Sequence, residues 1–226
     1  MHRIDYMWVS CMSAFKETAY LAIKTLEQVT APAFTEIIVS NYTAHDLSVK
    51  SGHTSVVSCH NDWGSGSKLL CCLNHLQHYN LNRTFITLVD DDVAYRPYLL
   101  KEVQKSVSVN SAISYYGYHV GKLLVLQGVD ALTTLATHWN GIHVWVDDLM
   151  RNFPWLRYHD DLWLSLWLKM KGVTSRVVHR PHGRLVHTSL CRKYCRGLFD
   201  KKENLSRAHL NSLFQSAMSK RFVGLV

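Results

Sequence analysis

Thr84-Phe85-Ile86-Thr87-Leu88-Val89-Asp90-Asp91-Asp92-Val93-Ala94-Tyr95 is the stretch that decides how this chain is read. Its first half is a short apolar and β-branched run, the pattern of a buried strand. Three carboxylates follow at once. Charges cannot be buried at such a place without compensation. The end of a strand is where they can hold a divalent cation, because hard cations take oxygen ligands. Magnesium or manganese held this way can bridge two phosphates and take up charge on a departing diphosphate. The same triplet also reads as an acidic turn with a helix cap before Pro97, and its surroundings have to decide.

Outward from this stretch, short β-branched runs alternate with longer helical patterns. Upstream, Tyr6 to Met12, Glu36 to Val39 and Thr54 to Ser58 read as strands, and Lys16 to Val29 and Lys68 to Tyr79 as helices. Downstream, Pro97 opens a helix through Val107, a favourable first-turn position for proline. Strands near Ala112 to Tyr116 and Lys122 to Leu126 follow. An apolar helix from Asp160 to Lys171 ends at Gly172, Val173 to Val178 is a last strand, and Lys201 to Lys220 is helical. This alternation predicts an α/β fold, a mostly parallel sheet flanked by helices in a single domain. In such sheets ligands gather at the carboxyl ends of the strands. Residues 1–200 form the expected domain and 201–226 a helical tail packed on it.

Two further segments carry chemistry. Asn61-Asp62-Trp63-Gly64-Ser65-Gly66-Ser67-Lys68 is a small-residue loop running into a helix with a lysine in its first turn. Such a loop can turn backbone N–H groups toward phosphate oxygens, although the Walker A order is absent and a plain turn with a capped helix is the more common meaning of such residues. Tyr158-His159-Asp160-Asp161-Leu162-Trp163-Leu164-Ser165 places two carboxylates at the start of a helix apolar nearly all round. Carboxylates there ordinarily cap the helix and complement its dipole. In a partly apolar cleft one of them can serve as a general base.

Composition narrows the class. Of 226 residues, 47% are hydrophobic and 19% charged, so a globular core can form and disorder is excluded. The formal net charge of +8 suits an anionic partner, either a phosphate-bearing substrate, nucleic acid or an acidic membrane face. No run is long enough to span a membrane, and the N-terminus lacks signal-peptide order. Cys71 and Cys72 are adjacent in a helical pattern, so the six cysteines are read as reduced thiols and the location as cytoplasmic. The sequons at Asn41, Asn82 and Asn204 are no more than chance would give. His179, His182 and His187 precede Cys191 and Cys195, a spacing that fits no standard structural zinc site. The basic cluster Arg192, Lys193, Arg196, Lys201 and Lys202 reads as a solvated face or a peripheral contact with an acidic membrane surface. The tryptophans read as core, with Trp155 a candidate to stack on an acceptor sugar.

Taken together, the three motifs resemble the small GT-A glycosyltransferases, including those encoded by large algal viruses. The resemblance lies in Trp63 to Leu70, in Val89 to Leu100 and in His159 to Ser165, and extends over residues 6–180. It implies a Rossmann-like GT-A fold and a nucleotide-sugar-dependent transferase using Mn2+ or Mg2+. It also implies that Asp90 and Asp92 are the outer members of a DXD element, with His187 completing the metal's coordination. Lys68, Gly64, Ser65, Asp90 and Asp91 would face the donor, a UDP- or GDP-sugar. Asp161 would be the catalytic base of an inverting transfer to a glycan or glycoprotein hydroxyl, with Asp160 as the fallback. Leu126 to Ala131 departs from the family's acidic, glycine-rich sugar-contact segment. The competing classes are a nucleotidyltransferase of similar sheet and a basic nucleic-acid-binding protein or metal nuclease. Scattered lysines and arginines and the lack of a recognition motif disfavour nucleic acid.

Overall fold

The computed structural model describes residues 6–13, 24–25, 35–41, 54–58, 63–180, 186–189 and 207–222. Strands β1 (Tyr6–Ser13), β2 (Thr35–Asn41), β3 (Thr54–Ser58), β4 (Thr84–Leu88), β6 (Ser111–Ser114), β9 (Thr133–Leu135) and β10 (Thr174–Val177) form one seven-stranded sheet, in the order β10-β6-β9-β4-β1-β2-β3. β1 runs parallel to both β2 and β4, β2 parallel to β3, and β6 parallel to β10. β9 runs antiparallel to both of its neighbours, wedged between β4 and β6. The expected mostly parallel α/β sheet is therefore present, with a reversed strand inside it. Two small antiparallel pairs stand beside it: β5 (Val93–Tyr95) with β11 (His187–Ser189), and β7 (Gly117–Val120) with β8 (Leu123–Leu126).

The helices are α1 (Ser67–Leu76), α2 (Leu99–Ser106), α3 (Ile142–Asn152), α4 (Asp160–Met170) and α5 (Arg207–Arg221). All five residues of β4 are buried, as befits a strand covered on both faces. α1 packs on β1, β2 and β3, burying Leu69, Leu70, Cys72 and Leu76. α4 packs on β8 and β10; being apolar all round, it enters the core entirely, with Leu162 through Leu168 all buried. It stops at Gly172, whose φ of +69° supplies the left-handed residue that closes a helix. Leu210, Phe214 and Met218 of α5 are buried, the last two within the main core. A smaller second core lies under the acidic triplet and contains Val89, Val93, Tyr95, Leu99, Val103, Tyr115, Ala131 and Val186.

β5, β7, β9, β11 and α3 go beyond the sequence-based expectation. The predicted helix over Lys16 to Val29 is seen only at Lys24 and Thr25, and its remainder lies outside the described residues. So do His182, Cys191, Cys195 and the basic cluster from Arg192 to Lys202. The reading of reduced thiols is corrected: Cys71 is disulfide-bonded, whereas Cys72 is a buried thiol outside any disulfide. Adjacency excludes only a bond between the two neighbours, because successive helical side chains point about 100° apart. The cytoplasmic expectation loses that support. Among the described residues, no helix is long and apolar enough to cross a membrane.

Candidate active site

The acidic triplet follows β4 at its carboxyl end, in a turn anchored by the buried Val89 and Val93. The Asp90 backbone N–H donates to the Tyr95 hydroxyl at 2.7 Å, and that hydroxyl donates to the Val129 carbonyl at 3.3 Å. One tyrosine thus shapes the turn and ties it to the segment after β8. Asp91 is buried, while Asp90 and Asp92 are half-buried.

Lys68, in the first turn of α1, is buried and aimed at this turn. Its Nζ lies 2.5 Å from Asp90 Oδ1 and 3.3 Å from Asp160 Oδ2. Burial pulls the ammonium's pKa down, but the charges of Asp160, Asp90 and Asp161 outweigh it and hold Lys68 well above the ordinary lysine value. It is a fixed cation. Asp90 is raised above the usual carboxylate range by burial, with Asp92 and Asp160 adding and Lys68 opposing.

The glycine loop reaches the second carboxylate pair. Ser65 Oγ donates to Asp160 Oδ1 at 2.6 Å. Gly64 has φ of +63°, and a Cβ there would stand 1.8 Å from the Arg157 carbonyl oxygen. A Cβ on Gly66 would stand 2.1 Å from the Trp163 ring. These glycines let the loop press against the turn Pro154–Tyr158 and against α4, which is what brings Ser65 to Asp160.

Asp161 faces the segment between β8 and β9. Its Oδ1 accepts the Gly128 N–H at 2.8 Å. Burial pushes its carboxyl up to about 8; the neighbouring Asp160 charge adds, and Lys68 and the Gly128 N–H oppose. A Cβ on Gly128 would lie 3.1 Å from Lys68 Nζ and 3.5 Å from Asp161 Oδ1. The helix-cap reading of Asp160 is corrected: His159 is the N-cap residue of α4 and makes no side-chain cap. Both carboxylates are drawn away from the helix end, Asp160 by Ser65 and Lys68 and Asp161 by Gly128. Ser165 Oγ, one turn on, accepts the Leu126 N–H at 2.9 Å and fastens α4 to the same segment.

His187 reaches the site from the far end of the chain. On β11 it pairs with Tyr95, so both side chains stand on one face of the two-stranded ribbon, with ring centroids 6.2 Å apart. Its Nε2 is 3.5 Å from Asp130 Oδ1. Among the described residues, no three His, Cys, Asp or Glu side chains are already clustered to hold an ion. The donor chemistry nonetheless fits a hard divalent cation: Asp90 and Asp92 in the turn, and on the adjoining strand an imidazole whose two nitrogens are buried without a hydrogen-bond partner among the described residues. Trp155 is half-buried, packed against the main core and 6.5 Å from the His159 ring.

The structure thus brings together Lys68, Ser65, Asp90, Asp160 and Asp161. Sequence reasoning missed Tyr95, Gly128 and Asp130. Gly128 and Asp130 carried a faint signal, a buried-type segment interrupted by polar and small residues.

This architecture is similar to that of solved GT-A glycosyltransferases. A mannosyltransferase from Pyrobaculum calidifontis, solved with GDP-Man and Mn2+, superposes with a TM-score of 0.55 at 10% identity, over 98% of this chain and 71% of that one. The galactosyltransferase LgtC, solved with donor and acceptor sugar analogs, gives 0.56 at 10% identity, over 94% and 95%. An active-site mutant of LgtC gives 0.55 at 8% identity over the same shares. No protein-family model and no curated protein sequence matches the chain. At these identities the likeness establishes the GT-A fold.

Proposed function

We propose that this protein is a divalent-metal-dependent glycosyltransferase that moves a sugar, with inversion, from a nucleoside-diphosphate sugar to a glycan or glycoprotein hydroxyl. The observation that carries the reading is Lys68, whose ammonium lies between Asp90 at the end of β4 and Asp160 at the start of α4. The finer likeness to the small viral enzymes rests on the three motifs around Lys68, Asp90–Asp92 and Asp160–Asp161. The donor class is supported by the ligands of the structural neighbours, GDP-Man with Mn2+ in one and donor and acceptor sugar analogs in another.

Asp90, Asp92 and His187 would hold Mn2+ or Mg2+, which when bound neutralises charge on the departing diphosphate. Gly64, Ser65 and Asp91 line the donor side. Lys68 orders Asp90 and adds a permanent positive charge beneath the phosphates. Asp161 is the base: it takes the acceptor hydroxyl's proton as that oxygen bonds to the anomeric carbon and the bond to the diphosphate breaks. A carboxyl pushed up to about 8 has the basicity this step needs, and the Gly128 N–H fixes its direction. Asp160, held by Ser65 and Lys68, is the partner that raises it.

The test is a panel of UDP- and GDP-sugars with Mn2+, followed by NMR of the product's anomeric configuration. Release of nucleoside diphosphate with an inverted product supports the reading. Release of pyrophosphate would indicate nucleotidyl transfer instead, and a retained anomer would remove Asp161 from the base role.

A further inference from the structure

Near the site, Asp130 and His187 place buried polar atoms opposite each other without satisfying them. Asp130 is 3% exposed. Among the described residues, its Oδ1 and both ring nitrogens of His187 are buried and have no hydrogen-bond partner, although Oδ1 and Nε2 are 3.5 Å apart. A buried carboxylate oxygen left alone is destabilising, so its position calls for a reason. The backbone around it is fixed independently of its side chain. The Asp130 carbonyl accepts from the Tyr115 N–H at 3.0 Å and from Ser114 Oγ at 3.1 Å. The next residue, Ala131, holds φ of +62°, which an alanine rarely adopts. The fold therefore tolerates local strain in putting this carboxylate beside this imidazole. On the other side of the pair, Tyr95 stands on the same ribbon face as His187 and reaches the Asp90 N–H through its hydroxyl.

A histidine that binds a metal through one ring nitrogen needs its other N–H held, and a carboxylate is a common partner for it; this sets the tautomer, the ring direction and the basicity. We infer that Asp130 is a positioning residue for the metal: it takes the Nε2–H of His187 and so presents Nδ1 to the cation shared with Asp90 and Asp92. The inference rests on the proposed role of His187 as a metal ligand. It gives the segment after β8, which lacks the family's acidic, glycine-rich pattern, two defined tasks. Gly128 holds the base and Asp130 holds the metal's histidine.

The test uses the whole chain and Mn2+ alone, without donor. Mn2+ titration followed by EPR is run on wild type, Asp130→Asn, His187→Ala, the double variant and Asp92→Ala. Asp130→Asn should bind Mn2+ about 10–100-fold more weakly, and His187→Ala at least as weakly. The double variant should bind no more weakly than His187→Ala, because Asp130 acts only through the imidazole. Affinity within about twofold of wild type in Asp130→Asn, against that expected loss, overturns the inference, and so do losses that multiply in the double variant. Unchanged affinity in His187→Ala beside a loss in Asp92→Ala overturns it while leaving the metal reading standing; unchanged affinity in all variants overturns both. A second measurement needs no variant. In metal-free wild type labelled with 15N-histidine at pH 8, the His187 ring should carry its proton on Nε2. An Nε2 without a proton overturns the assignment.

Discussion

Two acidic groups meet at Lys68 and are held by different partners. In the turn after β4, Asp90 lies 2.5 Å from the ammonium, and burial is partly answered by that charge. At the start of α4, Asp161 is held by a backbone N–H, and the like charge of Asp160 adds to its burial. One setting ties a carboxylate to a buried ammonium; the other leaves a carboxyl pushed up to about 8. Residue type is the same at both ends. The difference comes from what each oxygen touches, and the proposed division between metal binding and proton transfer rests on it.

The largest effect that would break this contrast is kinetic. Asp161→Asn keeps the shape and the Gly128 contact but removes the proton acceptor, so turnover should fall by about 10²–10⁴-fold. Donor affinity should stay near wild type, as measured by calorimetry with Mn2+ and nucleoside diphosphate. The next effect is on stability. Lys68→Met leaves buried carboxylates without their cation, so unfolding free energy in urea should drop by about 3–5 kcal/mol. A loss under ~1 kcal/mol would show that the clamp adds nothing beyond a surface ion pair.

The third prediction concerns pH. Asp161 is raised in the folded state to about 8 from an ordinary carboxylate value of 3.8. Across that interval the folded chain keeps a proton that the unfolded chain has lost, so wild-type stability falls as pH rises, by up to ~1.4 kcal/mol per pH unit for this one proton. Below the ordinary carboxylate value the contribution is fully present; above about 8 it is gone. Asp161→Asn should flatten the slope and exceed wild type in stability at pH 8. Equal pH slopes for the two proteins would mean that Asp161 ionises normally. The smallest effect is at Ser65. Ser65→Ala removes a hydrogen bond to a buried carboxylate, with an expected loss of about 1.5–3 kcal/mol. Its pH–rate profile should shift, because Asp160 loses its fixed orientation beside Asp161.

The division of the site was only half legible in the sequence. An apolar run ending in carboxylates announces a strand end, and β4 with its turn is found there. The Asp160–Asp161 helix start was legible for the same reason, a polar break before an apolar run. What periodicity could not carry is contact between distant segments. Ser65 and Asp160 are 95 residues apart, Gly128 and Asp161 33 apart, and β5 pairs with β11 from the far end of the chain. β9 has only three residues, too few for a period-2 signal, yet it reverses the sheet between β4 and β6. The glycines were legible as a loop but not as a packing requirement, because the ring of Trp163 that Gly66 touches lies in another element. Capping was the natural reading of Asp160 from local rules, and a tertiary pair, Ser65 and Lys68, overrode it.

The measurement that bears most directly on the account is Mn2+-dependent turnover of a UDP- and GDP-sugar panel, followed as nucleoside diphosphate released, on wild type and Asp161→Asn across pH 6 to 9. The account predicts release from at least one donor that needs the metal, rises with pH as Asp161 ionises in wild type, and falls by about 10²–10⁴-fold in the variant. Release at the wild-type rate in Asp161→Asn, with an unchanged pH profile, would contradict it.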